Sequence, residues 1–295
     1  MLPSFLQGPF AALGDHLVYS SRLYTDLRSR VTRMEGALID FTRPPSTLGD
    51  ERCLAAARLL RPYATSTPLI RVGDAGDGGY VMADSFAAAA ALSIGIGGNV
   101  SWDLAIAERG IPITQFDPTI AAPPAVVPGA TFHRIGLGTK EQASTLGFAV
   151  DSLDALLALG HFDTADDVIL KIDVEGAEWD ALAVVSDYSR YTQVIIEMHD
   201  LDRLGDAEPS KNVLAVLHAL HATHLPLHVH ANNEAPVVPF GTFWFPTVIE
   251  VTYLRRDLVS DPVPATRIAT HLDSPSNARF GDLSLAGLLT VEPLS

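Results

Sequence analysis

A chain of 295 residues, 47% of them apolar, is long enough to bury one large core with a helical appendage, so we expect one catalytic domain. The formal net charge of −15, with lysine only at Lys140, Lys171 and Lys211, opposes binding to the phosphates of nucleic acid. Cys53 is the single cysteine, which excludes an intrachain disulfide and a zinc site built on several thiolates.

The start of the chain lacks the pattern of a secretory signal. No basic residue precedes its first apolar positions, and no small-residue cleavage site follows a continuous apolar run. The longest apolar stretch, residues 86–100, is shorter than the ~18 residues that a membrane helix needs, and glycines interrupt it. We therefore expect a cytoplasmic protein that does not span a membrane.

Residues 10–38 predict a helix, because their apolar positions follow alternating steps of three and four. Pro44 and Pro45 end this pattern. The apolar face needs a partner, which is either the protein's own domain or a second copy of the chain in a homodimer. We assign residues 1–47 to a helical extension and residues 48–295 to the catalytic domain.

From Leu92 onward, β-branched runs alternate with helical stretches, the order that builds a parallel sheet with helices on both faces. Seven strands are predicted at 91–95, 113–117, 131–136, 168–173, 193–199, 225–230 and 248–254. Helices are predicted at 50–60, 102–109, 152–159, 178–185 and 211–222.

The link between the last two strands determines the kind of α/β fold. Residues 234–246 contain Pro236, Pro239, Gly241 and Pro246 and cannot form a crossover helix, so the seventh strand should run antiparallel to the sixth. A seven-stranded sheet with one antiparallel strand near its edge is the methyltransferase variant of the Rossmann-like architecture, whereas six parallel strands suit a nicotinamide enzyme. The sequence therefore predicts a class I methyltransferase fold.

A glycine-rich turn, residues 93–99, follows the first predicted strand of the sheet. Gly95 and Gly97 let the backbone approach a ligand, which the N–H groups of the next helix would face. Asp117 ends the second strand, a position that suits a carboxylate accepting hydrogen bonds from ribose hydroxyls. Val100 stands where a dinucleotide fingerprint has its third glycine, so a cofactor without a pyrophosphate fits better. Alternatively, the glycines only form a tight turn and Asp117 caps a loop.

Polar residues also close three further predicted strands. They are Asp173 and Glu175, then Glu197, His199 and Asp200, then His230, Asn232 and Asn233. Because the carboxyl ends of parallel strands meet at the ligand-binding edge of an open α/β sheet, we expect these groups to converge there.

Residues 170–182, which read LKIDVEGAEWDAL, resemble the signature of FkbM-type methyltransferases. Other segments similar to patterns of this family occur in order, namely DGGYV at 77–81, SWD at 101–103, QFDP at 115–118, IEMH at 196–199 and EVTY at 250–253. The resemblance covers roughly residues 48–256 and leaves the first 45 residues uncovered.

This resemblance implies a class I methyltransferase that uses S-adenosylmethionine and acts on a hydroxyl of a small molecule, such as a sugar or polyketide. It implies that Gly95 and Gly97 approach the methionine part, that Asp117 binds the ribose, and that Asp173 lies near the sulfonium and amino group. Asn99 stands where many such enzymes have another glycine. The residues implied beside the pocket entrance are Arg71, Gly79 and Tyr80.

Methyl transfer requires alignment of the acceptor oxygen, the methyl carbon and the sulfur, and an alcohol must also lose its proton. His199 is the first candidate for the general base, with Asp173 or Glu175 orienting it, although His199 can equally be a structural residue. Alternatively, Asp173, Glu197, His199 and Asn233 bind a magnesium-type ion that acidifies the acceptor.

Two other functions stay open at this point, because a fold alone does not define an activity. One is a nicotinamide-dependent oxidoreductase, which Val100 and the helix-free link at 234–246 oppose. The other is a non-catalytic adenosine-binding protein, which the polar edge of the sheet opposes. Whether the acceptor atom is oxygen or nitrogen also stays open.

Overall fold

The computed structural model describes residues 47–139, 141–143, 147–240 and 243–293. The helix predicted for residues 10–38 lies outside this part of the chain, as does the dimer contact expected for it. None of the described helices combines the length and the apolar character needed to cross a membrane.

α-Helices form where the periodicity predicts them. They are α1 (Thr47–Leu60), α2 (Ser101–Ala107), α3 (Leu153–Leu159), α4 (Glu178–Leu182) and α5 (Pro209–Thr223). Their bounds differ from the predicted ones by at most three residues at either end. Helix α3 begins after Ser152, whose side chain caps it by accepting a hydrogen bond from the N–H of Ala155.

The strands follow in chain order. They are β1 (Tyr63–Ala64), β2 (Leu69–Val72), β3 (Tyr80–Ala83), β4 (Ala90–Ile94), β5 (Ile113–Phe116), β6 (Thr131–His133), β7 (Gly136–Leu137), β8 (Val150–Asp151), β9 (Val168–Ile172), β10 (Tyr191–Met198), β11 (His224–Ala231), β12 (Val237–Phe240), β13 (Phe243–Pro246), β14 (Ile249–Arg255) and β15 (Val263–Pro264).

Seven of these strands form one sheet in the order β11, β14, β10, β9, β4, β5, β6. Strand β14 lies antiparallel between β10 and β11, and the other neighbours pair in parallel. Helix α5 connects β10 to β11, whereas the β12–β13 hairpin connects β11 to β14. Because no crossover helix occupies that last link, the chain reverses direction there. The seven predicted strands and the antiparallel seventh strand are confirmed in a mixed α/β fold.

Successive residues of a strand point to opposite faces of the sheet, and in the central strands both sets of side chains are buried. In β9, Leu170 belongs to a large apolar cluster that includes residues of α1, α3, α4 and α5. Its neighbour Ile169 belongs to a second cluster that includes residues of α2 and the β2–β3 hairpin. This double burial explains the continuous apolar run that marks β9 in the sequence.

The β2–β3 hairpin is fastened to the sheet by two buried polar side chains. Gln193 exchanges hydrogen bonds with the backbone of Ala83 at 3.0 and 3.2 Å, and the hydroxyl of Thr252 donates to the carbonyl of Val81 at 2.6 Å. Buried hydrogen bonds of this kind are costly to break. Tyr80, the first residue of β3, is therefore held near the carboxyl ends of the central strands.

Candidate functional site

The candidate site lies at the carboxyl ends of the parallel strands, where a line of polar residues crosses the sheet. Asp173 directly follows β9, and the register of β9 with β10 places it beside Glu197. Glu197 pairs with Glu250 of β14, which pairs in turn with His230 of β11. We call Asp173, Glu197, Glu250 and His230 the polar row. Since β14 is antiparallel, its beginning lies at this edge, and Glu250 therefore joins the ends of the other strands.

Two side chains hold the Oδ2 atom of Asp173. The hydroxyl of Tyr80 donates to it at 3.1 Å, and the ammonium of Lys171 lies 3.7 Å away. Lys171 also donates to the carbonyl of Gly95. Burial, followed by the charge of Asp173, raises the pKa of Tyr80 well above its usual value, so the phenol keeps its proton. The structure thus brings the predicted Asp173 and Tyr80 into contact and adds Lys171.

The segment EGAEW fixes the position of His199. Glu178 is fully buried and accepts hydrogen bonds from the N–H groups of Gly176 at 3.0 Å and His199 at 2.6 Å. The indole N–H of Trp179 donates to the carbonyl of His199 at 2.6 Å. Glu175 and Gly176 both have positive φ, 56° and 98°, which turns the chain sharply between β9 and α4. The most distinctive segment of the sequence therefore anchors the end of β10 beside the end of β9.

The imidazole of His199 lies between two carboxylates. Its Nε2 atom is 3.4 Å from Oε2 of Glu175, and its Nδ1 atom is 3.4 Å from Oε1 of Glu178 without a well-aligned hydrogen bond. Burial lowers the pKa of His199, but Glu178, Glu197 and Asp173 outweigh burial and raise the pKa well above 6.5. The surrounding carboxylates therefore favour the protonated ring, which weakens His199 as a general base. Glu175, with a side chain 79% exposed, is the accessible proton acceptor beside it.

The polar row is buried and rich in carboxylates. Glu197, Glu250 and His230 are 5%, 7% and 5% exposed. The amide of Asn232 donates to Oε1 of Glu197 at 2.8 Å. Burial, followed by the charge of Asp173, raises the pKa of Glu197 well above its usual value, so this carboxyl keeps its proton to higher pH than an exposed glutamate does. Crowded carboxylates at one edge favour ligands that carry positive charge.

The two predicted glycines of the turn after β4 have different roles. Gly95 has φ +81°, and a Cβ there would lie 1.6 Å from the carbonyl oxygen of Asp173, so only glycine fits. Gly97 has φ +56°, and a Cβ there would meet no atom within 4 Å. Close contact with the backbone of Asp173 explains why a glycine is required at position 95. The open space at Gly97 leaves room for a ligand beside the turn.

Asp117 holds this turn in place through hydrogen bonds to its backbone. Its Oδ2 atom accepts hydrogen bonds from the N–H groups of Ile96 at 3.0 Å and Gly97 at 2.8 Å, and its Oδ1 atom accepts from the N–H and hydroxyl of Thr119. Burial raises the pKa of Asp117, but these hydrogen bonds outweigh it and lower the pKa. A ribose hydroxyl would have to share acceptors that are already used, and the ribose contact stays a prediction.

Arg71, Gly79 and Asn99 shape the loop at residues 73–79. The guanidinium of Arg71 donates to loop carbonyls, among them that of Asp74 at 2.7 Å. A Cβ at Gly79 would lie 2.0 Å from the same carbonyl oxygen. The amide of Asn99 donates to the carbonyl of Asp77 at 3.1 Å. These contacts are structural, and a cofactor contact stays a prediction for all three residues.

Residues 270–282 form a C-terminal segment that binds along β11. A hydrogen bond of 2.7 Å joins His228 to Asp273, and Nε2 of His230 lies 3.1 Å from the carboxylate of Asp282. Asn233 donates to backbone carbonyls of the same segment. Asn233, a metal-ligand candidate of the sequence analysis, is therefore engaged elsewhere.

Within the part of the chain that the structure describes, Asp173, Glu175 and His199 form the group that could hold a metal ion. One ligand atom from each lies within 4.8 Å of the other two. This group differs from the set considered from the sequence, because Glu197 bonds to Asn232 instead. Glu175 joins the group because its backbone turns toward His199 after β9.

Glu250, Glu178 and Trp179 also belong to the site, although no sequence pattern assigned them a role. Glu250 is the one acidic residue of β14, IEVTYLR, and a carboxylate in a strand of mostly uncharged residues is a signal that could have identified it. Glu178 and Trp179 carry no such signal, because their hydrogen-bond partners are backbone groups of Gly176 and His199.

Comparison with known proteins finds no family model, no curated protein and no solved structure that matches the chain. A function must therefore be argued from the fold and from the geometry of the site.

Proposed function

We propose that this protein is an S-adenosylmethionine-dependent methyltransferase that acts on a hydroxyl of a small molecule, such as a sugar or a polyketide. The observation that carries the proposal is the position of β14, antiparallel between β10 and β11 in an otherwise parallel sheet. This arrangement is the methyltransferase variant of the Rossmann-like architecture, whereas nicotinamide-binding sheets have six parallel strands. The resemblance of residues 170–182 to FkbM-type methyltransferases supports the same class.

The charge of the site supports a cationic cofactor over NAD. S-adenosylmethionine carries a sulfonium and an ammonium group, whereas NAD carries an anionic pyrophosphate. A pyrophosphate needs free N–H groups in the turn after the first strand, but Asp117 already binds those of Ile96 and Gly97. Asp173, Glu175, Glu178 and Glu250 also lie at this edge, together with the basic side chains of Lys171, His199 and His230. The small excess of carboxylates favours a cation over an anion.

The residues of the site fit such a cofactor in three places. Gly97 offers open space beside the turn for the methionine part. Asp173 offers a carboxylate that Tyr80 and Lys171 hold in place, which suits the ammonium and sulfonium groups. The resemblance implies Asp117 for the ribose, which would share the carboxylate with the N–H groups of Ile96 and Gly97. The cofactor supplies the methyl group, and the chain aligns the acceptor with it and excludes water.

The acceptor hydroxyl must lose its proton as its oxygen bonds to the methyl carbon. In this proposal the carboxylate of Glu175 takes up that proton, since it is the accessible group at this edge. His199, whose Nε2 atom lies 3.4 Å from Oε2 of Glu175, favours the ionised form of that carboxylate before the proton arrives. The pair is the one named from the sequence, but the roles differ, because the carboxylates around His199 raise its pKa.

Cofactor binding is tested by the melting temperature of the full chain with S-adenosylmethionine, its demethylated product or NAD. The first two should raise it, because a ligand that binds the native state stabilises it. Asp173→Asn should weaken cofactor binding about ten- to a hundredfold, the effect of losing a charge-assisted hydrogen bond. Asp180→Asn, on the exposed side of α4, is the matched control and should bind normally. Stabilisation by NAD alone would overturn the proposal.

The acceptor is tested by incubating methyl-labelled donor with cell extracts and resolving the labelled product. An ether product supports O-methylation, whereas a methylated amine keeps the class and corrects the acceptor atom. Cofactor binding with no transfer to any fraction would favour the non-catalytic alternative. Transfer by Glu175→Gln at the rate of the unmodified protein would remove Glu175 as the base.

A further inference from the structure

The group formed by Asp173, Glu175 and His199 has the spacing of a metal site. Nε2 of His199 lies 3.4 Å from Oε2 of Glu175, and ligand atoms of all three residues lie within 4.8 Å of one another. Ligand distances of about 2.0–2.2 Å around one ion place neighbouring ligand atoms about 3.0–3.5 Å apart. The ligand atoms that are farther apart than this must move closer when an ion binds. The side chain of Glu175 can make this movement, because it is exposed.

His199 distinguishes this group from an ordinary cluster of surface acids. The residue is 9% exposed, and its Nδ1 atom faces Oε1 of Glu178 at 3.4 Å. This leaves Nε2, on the side of Glu175, for an ion, which would displace the proton from that nitrogen. Glu178 and Trp179 hold its backbone through hydrogen bonds of 2.6 Å each. A ligand that is held rigidly before binding loses little entropy when the ion arrives.

One carboxylate oxygen of Asp173 is available to bind an ion. Its contacts with Tyr80 and Lys171 both fall on Oδ2, which leaves Oδ1 for an ion. Lys171 is engaged with Asp173 and with the carbonyl of Gly95. The carboxylates of Glu175 and Glu178 flank the ring of His199, and an ion at Nε2 would take the place of the proton that they attract to this ring.

We propose that Asp173, Glu175 and His199 bind one divalent transition-metal ion, such as Mn²⁺ or Zn²⁺. A single imidazole nitrogen with two carboxylate oxygens suits these ions better than Ca²⁺, which takes oxygen ligands throughout. Three protein ligands leave further coordination positions for water or for an oxygen of the acceptor. Only the role of the ion rests on the proposed methyl transfer: there it would acidify the acceptor hydroxyl, and Glu175 would act as a ligand instead of a base.

The test uses the full chain after treatment with EDTA and dialysis, titrated with Mn²⁺ while electron paramagnetic resonance measures the free ion. We expect one Mn²⁺ per chain, displaced by Zn²⁺. Glu175→Gln should weaken Mn²⁺ binding at least about tenfold through loss of one charged ligand. Its side chain is exposed, so the variant should fold normally. Glu208→Gln removes an equally exposed carboxylate beside Lys211 and should bind Mn²⁺ as the unmodified protein does.

An unchanged Mn²⁺ signal on addition of the unmodified protein would overturn the proposal. Equal binding by Glu175→Gln and Glu208→Gln would overturn it as well. Calorimetric titration of the same samples with S-adenosylmethionine separates the two proposals. Mn²⁺ binding without cofactor binding supports the metal site and removes the methyltransferase, whereas cofactor binding without Mn²⁺ binding does the reverse.

Discussion

Replacement of Glu178 by glutamine tests how the EGAEW segment holds His199. The carboxylate of Glu178 accepts two buried backbone hydrogen bonds, from Gly176 at 3.0 Å and from His199 at 2.6 Å. A hydrogen bond to a charged acceptor contributes about 1.5–3 kcal/mol. A glutamine side chain has one carbonyl oxygen and directs an N–H₂ group at the second donor. We therefore expect Glu178→Gln to lower the free energy of unfolding by about 2 kcal/mol or more.

The same substitution should lower the pKa of His199. Glu178 lies 3.4 Å from Nδ1 and is the main group that raises this pKa against the effect of burial. Urea denaturation measures the loss of stability, and NMR titration of the histidine ring protons measures the pKa. Asp180→Asn removes a carboxylate from the exposed side of the same helix, where it contacts Asn212, and should change stability by less than about 0.5 kcal/mol.

Two results would refute this reasoning. The first is an unfolding free energy of Glu178→Gln equal to that of Asp180→Asn. The second is an unchanged pKa of His199 in a folded Glu178→Gln protein, which would mean that Glu178 does not set the charge of the ring.

Three further predictions concern the turn after β4 and two histidines. Gly95→Ala should cost about 4 kcal/mol or more, because its Cβ would collide with the carbonyl of Asp173, whereas Gly97→Ala should cost only about 1–2 kcal/mol for its positive φ. Burial lowers the pKa of His230, but Glu250 outweighs burial and raises the pKa to about 9. The stability from His230 is therefore complete below about pH 6.5 and is lost as the pH rises toward 9, and His230→Gln should flatten this dependence. Burial lowers the pKa of His224 to about 4, so its stability contribution is present above about pH 6.5 and is lost as the pH falls to 4, a loss that His224→Gln should remove.

Urea denaturation as a function of pH measures all three. Equal costs of Gly95→Ala and Gly97→Ala would contradict the close approach of backbone at Gly95. A His230→Gln protein that still loses stability between pH 6.5 and 9 would assign that loss to another group. If His224→Gln loses stability in acid as the unmodified protein does, protonation of a buried, neutral His224 is not the cause of that loss.

Much of the fold could be predicted from the sequence because the relevant signals are local. The apolar run of β9 and the capping residue Ser152 before α3 each act through neighbouring residues, so periodicity and residue type identify them. The direction of β14 could also be predicted, because prolines between the last two strands exclude a crossover helix. The attachment of the β2–β3 hairpin to the sheet could not be predicted, since Gln193 and Thr252 bind it from distant strands. Only the family resemblance placed Arg71 and Tyr80 of this hairpin at the site.

The candidate site likewise has features that the sequence determines and features that only the tertiary structure determines. The sequence by itself determined that Asp173, Glu175 and His199 lie at the carboxyl edge of the sheet, because each follows or closes a recognisable strand. Only the tertiary structure decided what these groups can do. Glu178 and Glu197 raise the pKa of His199 against the effect of burial, which favours Glu175 as the base in the proposed reaction. The pKa of a side chain depends on its burial and on the charges that cross-strand register places beside it, and both arise only when the strands are paired.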